Sequence, residues 1–214
     1  DDWRGTINLD GGALMNQGIH YVDLLDWIIG PVKSVFAHTA KISRDIEAED
    51  SCVLNIKWDN GILGTMAVTM VTYPNNIEGS ITIIGDKGSA KVGGEALNRF
   101  EYYCFDDEPN KTDLDSINYQ IKEVYGVGHS EYYTNILDVI LKNANPICEG
   151  KDGLASLKII NAAYLSSKSG KSPTTPASPS SACSSFCITS SFFLKKYDFC
   201  SLVISSLTLS RTSF

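Results

Sequence analysis

Residues 11–30 read GGALMNQGIHYVDLLDWIIG, and this stretch decides how the chain begins to fold. After two glycines, apolar residues recur with the spacing of an amphipathic helix from about Leu14 onward. The helix should end at Gly30, because Pro31 cannot continue it and restricts the backbone of the residue before it. The stretch therefore predicts a helix that packs one apolar face inward.

A polar pattern lies on the same predicted helix. Asn16 and His20 are four residues apart and Asp23 follows three residues later, which predicts one shared face. An amide, an imidazole and a carboxylate along one stripe are typical of a site for a polar ligand. Gly11 and Gly12 would let a ligand or another backbone come close, since neither carries a side chain. A surface or satisfied core role for His20 is the alternative, and spacing alone leaves both interpretations open.

The hydrophobic period then changes from helical to alternating. Strands are predicted over residues 34–42, 51–58, 61–72, 79–85, 89–92 and 99–105, and helices over 129–146 and 152–171. Neither face of the strand 61–72 carries a charge. We therefore expect one of its faces to lie against helices and the other against a partner or a neighbouring domain.

Composition narrows the classes of partner. The 214 residues suffice for one good-sized domain, and 43% apolar with 20% charged residues is ordinary globular composition. A net charge of −7 argues against nucleic acid or an anionic membrane, which both favour basic patches. No stretch approaches the ~20 apolar residues of a membrane helix. No C-x-x-C pair occurs and the histidines are scattered, so we expect no metal site, and free thiols are the default.

The first residues, DDWRGT, lack the basic and apolar regions of a signal peptide, and they do not begin with Met. We therefore expect a cytoplasmic protein and a chain that is a segment of something longer.

Two stretches resemble a known family. The segment WRGTINLDGGALMNQGIHYVDLLDWIIGPVKSVFA, residues 3–37, is similar to the start of the C-terminal domain of the Gfo/Idh/MocA oxidoreductases, and ITIIGDKGSAKV, residues 81–92, resembles a hairpin of the same family. Through WRGT, the glycine run and ALMNQGIH followed by D-L-L, the chain looks most like members that oxidise UDP-N-acetyl-2-amino-2-deoxyglucuronate-type sugars. The family usually has three glycines where this chain has two. The resemblance extends to about Lys171.

The resemblance implies one half of a two-domain dehydrogenase. The other half would be an N-terminal Rossmann domain that binds NAD or NADP, and this sequence contains no G-x-G-x-x-G fingerprint. The fold class expected here is α+β, with an open mixed or antiparallel sheet and helices on one face. Residues 1–171 would form a substrate-binding and oligomerisation domain, with a homo-oligomer built through the open sheet face. Residues 172–214 have no counterpart in the family and form a Ser- and Pro-rich tail that we expect to be poorly ordered.

The resemblance also assigns roles to residues. His20 would be the catalytic acid/base or proton relay, since imidazole titrates near neutral pH. Asn16 would bind a sugar hydroxyl, and Gly12 would line the substrate cleft. Arg4 would bind an anionic group of the substrate, unless it only forms a surface salt bridge. His129 would lie near the cleft, unless it only caps its helix.

Asp23 would either orient His20 or pair elsewhere, and we favour pairing elsewhere. The function expected is the substrate-binding and catalytic half of an NAD(P)-dependent oxidoreductase that oxidises a sugar hydroxyl of a UDP-N-acetyl-amino-uronate. The isolated chain would be inactive, because hydride transfer needs the cofactor domain. The alternative is a binding or oligomerisation module without turnover.

Overall fold

The computed structural model describes residues 3–94, 97–106, 114, 118 and 128–175. The chain divides into two compact units. Of the described residues, the first contains 3–74 and 147–175, and the second contains those between 75 and 146.

The first unit is built on a three-stranded sheet. Its strands are β1 (Val32–Ala40), β2 (Ser51–Trp58) and β3 (Leu63–Thr69), antiparallel in that order. Residues alternate strictly along β2, where every second side chain is buried. The buried face joins residues of two helices in one hydrophobic core, whose largest members are Leu14, Val35, Leu54, Trp58 and Ile160.

The predicted first helix has two parts. A π-helical segment, Leu14–Gly18, leads directly into α1 (Ile19–Ile29). A Cβ on Gly18 would lie only 2.9 Å from the Leu14 side chain and 3.2 Å from that of Met66. Glycine at this position therefore lets the segment approach β3. Gly30 ends α1 as predicted, with φ of 109° and its N–H donating to the Asp26 carbonyl at 2.8 Å.

A long helix covers β1. It is helix α3 (Gly150–Ser169), and Gly170 ends it in the left-handed region with φ of 65°. The Ser166 hydroxyl accepts from the backbone N–H of Ala37 at 3.0 Å, and Ser167 accepts from Thr39 at 3.2 Å. Serine side chains of α3 thus bind the strand's backbone directly.

The chain beyond α3 runs beside β1. The Thr175 N–H donates to the Lys33 carbonyl at 2.9 Å, the Ser172 hydroxyl donates to the Val35 carbonyl at 3.0 Å, and Thr174 forms a β-bridge with Ser34. The domain boundary at 171 stays a prediction, although Ser172, Thr174 and Thr175 pack with the first unit. The rest of the predicted tail, residues 176–214, lies outside the described residues.

The described part of the second unit contains its own antiparallel sheet and a helix. Strands β4 (Ile81–Ile84), β5 (Gly88–Gly93) and β6 (Arg99–Phe105) pair in that order, and α2 spans Gly128–Lys142. The buried side chains of this sheet are Ile81, Ala90, Val92, Phe100 and Phe105.

The architecture agrees with the expected α+β class and narrows it. All described strand pairings are antiparallel, and they form two three-stranded sheets rather than one mixed sheet. Cys52 and Cys104 are free thiols, whereas Cys148 is disulfide-bonded, so the expectation of free thiols is wrong at Cys148. In the described part of the chain, no helix is long and apolar enough to cross a membrane.

Candidate functional site

The candidate site begins at the glycines that precede the π-helical segment. Gly11 has φ of 79°, a left-handed conformation that favours glycine, and its N–H donates to the Thr6 carbonyl at 2.8 Å. A Cβ on Gly12 would overlap the carboxylate of Glu49. The space beside Gly12, which we expected a ligand or another backbone to use, is therefore occupied by the Glu49 side chain.

Glu49 binds the start of the helical segment. Its carbonyl accepts from the Ala13 N–H at 2.9 Å, and its carboxylate Oε1 accepts from the Leu14 N–H at 2.9 Å. The hydroxyl of Tyr164, on α3, donates to the same Oε1 at 2.9 Å. Burial and the Glu49 charge raise the pKa of Tyr164, so the phenol stays protonated and remains a donor.

Asp50 fixes the loop that precedes β2. Its side chain is fully buried, and its Oδ2 accepts from the N–H groups of Ser43 at 2.7 Å and Arg44 at 2.8 Å, while Ile42 donates at 3.0 Å. The Arg44 amide is the main cause that holds the pKa of Asp50 far below its ordinary value, against the effect of burial. Asp50 is therefore a charged anchor for the backbone.

Asn16 lies on the π-helical segment with its side chain exposed. Its Nδ2 donates to Asp10 Oδ1 at 2.7 Å, and its Oδ1 accepts from Gln17 Nε2 at 2.6 Å. The other Asp10 oxygen accepts from the Gly5 N–H at 2.7 Å. The amide is thus oriented by Asp10, and one N–H and one lone pair remain for further hydrogen bonds.

His20 is half-buried on the first turn of α1. Burial lowers its pKa from the ordinary value, because removing water disfavours the imidazolium. The neutral imidazole therefore predominates at neutral pH and can accept a proton.

Asp23 does not share the exposed stripe, and the prediction of one common face for three polar residues is wrong there. Its side chain is buried, and Oδ1 accepts from the Ser156 hydroxyl of α3 at 2.8 Å. Asn16 lies in the π-helical segment, whose hydrogen bonds span five residues instead of four, so the α-helical spacing used for the prediction does not hold between Asn16 and Asp23. Of the two roles considered for Asp23, the one we favoured, pairing with a residue other than His20, agrees with the contact to Ser156.

Arg4 and His129 are not brought together with the other candidates by any described contact. Arg4 is exposed in the loop before the glycines, with its guanidinium carbon 5.4 Å from the centroid of the Trp3 ring. His129 lies in the first turn of α2, in the second unit, and its side chain is outside what the structure describes.

The family is decided by the length of the match. The model of the Gfo/Idh/MocA oxidoreductase family, C-terminal alpha/beta domain, matches residues 1–175. The chain belongs to this family. The match runs through the helical segment, both sheets and α3 to the residues that pair with β1.

Two solved structures of WlbA dehydrogenases are similar to this Gfo/Idh/MocA domain. The enzyme from Bordetella pertussis, in complex with NADH and UDP-GlcNAcA, superposes with a TM-score of 0.76 at 46% identity over 83% of this chain and 51% of that chain. The enzyme from Chromobacterium violaceum, in complex with the same two molecules, gives 0.72 and 47% over 82% and 49%.

A curated relative is also an oxidoreductase. The uncharacterized oxidoreductase YrbE of Bacillus subtilis is 25% identical over 172 residues, which are 75% of this chain and 47% of YrbE. The chain thus spans about half the length of the relatives that it matches.

The described residues around the paired glycines do not fit the phosphates of a dinucleotide. The space beside Gly12, which a phosphate would need, is filled by the Glu49 carboxylate, whose charge repels a pyrophosphate. A helix start that binds phosphate offers free N–H groups, whereas Leu14 already donates to Glu49. This domain of the family therefore supplies no NAD cradle at its paired glycines.

Sequence reasoning missed Glu49, Asp10 and Tyr164. Each acts through a contact with a residue far along the chain or across a loop, and no periodic pattern encodes such a contact. A usable signal was the adjacent pair Glu49–Asp50 immediately before a strand, because acidic residues there must find donors once they are buried.

Proposed function

We propose that this chain is the substrate-binding and catalytic half of an NAD(P)-dependent dehydrogenase that oxidises a ring hydroxyl of a UDP-N-acetyl-amino-uronate. The observation that carries the proposal is the 46–47% identity, over 82–83% of the chain, to two dehydrogenases whose structures hold NADH and UDP-GlcNAcA.

In this proposal the nicotinamide, when bound by the other half, supplies the hydride acceptor. His20 accepts the proton of the sugar hydroxyl as the C–H bond breaks, since burial keeps its imidazole neutral at pH 7. Asn16, oriented by Asp10, binds a neighbouring hydroxyl of the sugar. Gly12 lines the same end of the helix.

Arg4 and His129 complete the proposed substrate contacts. Arg4 is exposed and carries a planar fork of donors that suits a phosphate or a carboxylate. His129, in the first turn of α2, is proposed to bind the substrate as well. Cytoplasmic location is proposed together with the function.

A second function rests on the outer face of the first sheet. Val53 and Leu63 are 52% and 74% exposed there, and Ala67 and Phe36 share that face by strand register. Exposed apolar patches of this kind commonly form interfaces between subunits. We propose that this face forms the interface of a homo-oligomer. Such an interface is compatible both with the dehydrogenase and with an oligomerisation module that has no turnover.

The decisive experiment uses the complete protein, including its cofactor-binding half. With NAD or NADP and a panel of UDP-sugars, we expect reduced cofactor to form with UDP-N-acetyl-amino-uronates and not with neutral UDP-hexoses. Absence of turnover with every sugar of the panel would support the module without turnover instead.

A second measurement isolates the domain assignment. Calorimetry of the 214-residue chain with NAD should detect no binding, since its sequence has no G-x-G-x-x-G fingerprint and Glu49 fills the space beside Gly12. Binding at micromolar concentration would overturn the division of labour between the two halves.

A further inference from the structure

Glu49 joins three elements that are distant in sequence. It precedes β2, accepts from the Ala13 and Leu14 N–H groups of the π-helical segment, and accepts from the Tyr164 hydroxyl of α3. The contacts to Leu14 and Tyr164 bridge 35 and 115 residues of chain. The Tyr164 hydroxyl also accepts from the backbone N–H groups of Gly12 and Met15, so Glu49 and Tyr164 together join α3 to the start of the segment.

The start of a helix needs such a residue. The first N–H groups of a helix have no acceptor within it, and a nearby side chain usually supplies one. Here the capping position is Ala13, which has no polar side chain and forms no side-chain cap. Glu49 provides the acceptors from outside, and its negative charge is favourable at the positive end of the helix dipole.

The carboxylate is itself held on several sides. Gly12 packs so closely that an added Cβ would overlap it. Tyr164 is half-buried and donates to it, and the neighbouring Asp50 is locked by three backbone amides of residues 42–44. Because the carboxylate is fixed, it also fixes the position of the helix start that donates to it.

We propose that Glu49 is a positioning residue for the reaction, which sets the place of the helical segment that presents Asn16 and His20 to the substrate. The inference rests on the proposed function. Glu49 does not need to touch the substrate, because its carboxylate is engaged by Leu14 and Tyr164. Catalytic groups tolerate little displacement, and an error of ~1 Å can cost about 100-fold in rate.

The test compares four variants of the complete protein. Glu49→Ala should lower kcat by about 10- to 100-fold while the dissociation constant of NADH stays at its wild-type value. Glu49→Gln keeps an oxygen that can accept from Leu14 and should recover most of the loss. Tyr164→Phe removes one of the contacts of the carboxylate and should give a smaller fall in kcat.

Glu47→Ala is the matched control. Glu47 lies two residues away in the same loop and is exposed, and its Oε2 accepts from the Ile7 N–H at 3.2 Å, away from the helix start. We expect wild-type kcat. A kcat for Glu49→Ala equal to that of Glu47→Ala would overturn the proposal, as would a Glu49→Gln variant as slow as Glu49→Ala.

Hydrogen exchange gives a readout that does not depend on turnover. The amides of Ala13 and Leu14 should exchange faster in Tyr164→Phe and Glu49→Ala than in wild type and Glu47→Ala. Unchanged protection in Glu49→Ala would overturn the proposal. Where Glu49→Ala folds poorly, Glu49→Gln carries the comparison, because a neutral amide oxygen is a weaker acceptor than a carboxylate and Leu14 should still exchange faster than in wild type. If the wild-type protein oxidises no UDP-sugar, the proposed function fails, whereas faster exchange would still identify Glu49 as the anchor of the segment.

Discussion

Helices α1 and α2 look alike in the sequence and differ in the structure. Both show an apolar stripe with helical spacing. Helix α1 buries its stripe, with Val22 and Leu24 only 2% and 5% exposed, whereas Leu137 and Leu141 of α2 are 55% and 73% exposed. Hydrophobic period thus identifies which face of a helix is apolar, and tertiary packing decides whether that face is covered.

The largest expected effect concerns the chemistry assigned to α1. In the complete protein, His20→Ala should lower turnover of the sugar by about 100- to 10,000-fold, because it removes the proposed proton acceptor. Steady-state kinetics with saturating cofactor measure the change. His38→Ala is the control, since His38 is exposed on β1 and should leave turnover unchanged. Normal turnover in His20→Ala would remove that residue from the mechanism.

The second effect compares burial in the two helical regions directly. Leu14, in the segment that leads into α1, is fully buried, and Leu14→Ala should lower the free energy of unfolding by about 2–5 kcal/mol. The same change at Leu141 of α2 should alter it by less than about 0.5 kcal/mol. Urea denaturation of the chain measures both. Equal losses would mean that the stripe of α2 is covered in solution.

A smaller effect concerns Asp50, the buried carboxylate that binds the loop before β2. The pKa of Asp50 is lowered on folding, so its contribution to stability is present above the ordinary value of 3.8 and is lost as the pH falls below it. Asp50→Asn should be less stable than wild type at pH 7, and the difference should shrink in acid.

Denaturation at pH 7, 5 and 3 tests this expectation. Asp45→Asn, an exposed position of the same loop, is the control and should follow the wild-type curve. A constant gap between Asp50→Asn and wild type at all three values would show that the carboxyl does not titrate as expected.

The smallest effect is a shift to lower pH in the midpoint of the pH dependence of kcat/KM. Burial lowers the pKa of His20, so kcat/KM for sugar oxidation should rise with pH through a midpoint below 6.5, the ordinary value. The complete protein is assayed from acid to neutral pH, with His38→Ala as the control that keeps the same midpoint. A midpoint at or above 6.5 would contradict the assignment of that limb to a half-buried His20.

Much of the local structure could be predicted because it is periodic. The strand predicted over 51–58 has the same ends as β2, since alternation along it is complete, and Gly30 ends α1 where Pro31 forbids continuation. The π-helical turn of Leu14–Gly18 could not be predicted, because it closes a different hydrogen-bond ring with ordinary helical residues.

The site was predictable only in part, because some of its contacts join residues that are far apart in the sequence. The chain's own spacing singled out Asn16, His20 and Gly12, and their places in the helical segment follow from it. The carboxylate beside Gly12 comes from a residue 37 positions later, and the amide of Asn16 is held by Asp10 across a loop. Spacing cannot encode contacts of this kind, since they exist only after the loop before β2 has packed on the helix start.

The five residues after Gly170, Lys171 to Thr175, matter for how the domain is expressed. On its outer side β1 would otherwise expose carbonyl and amide groups in a row, and such an open strand edge invites other chains to pair with it. The segment through Thr175 occupies part of that edge, bonding to Lys33 and Val35. When this domain is expressed alone, the stop codon should follow Thr175 rather than the end of the last helix. The edge of β1 then keeps the hydrogen bonds that make it unavailable to other chains.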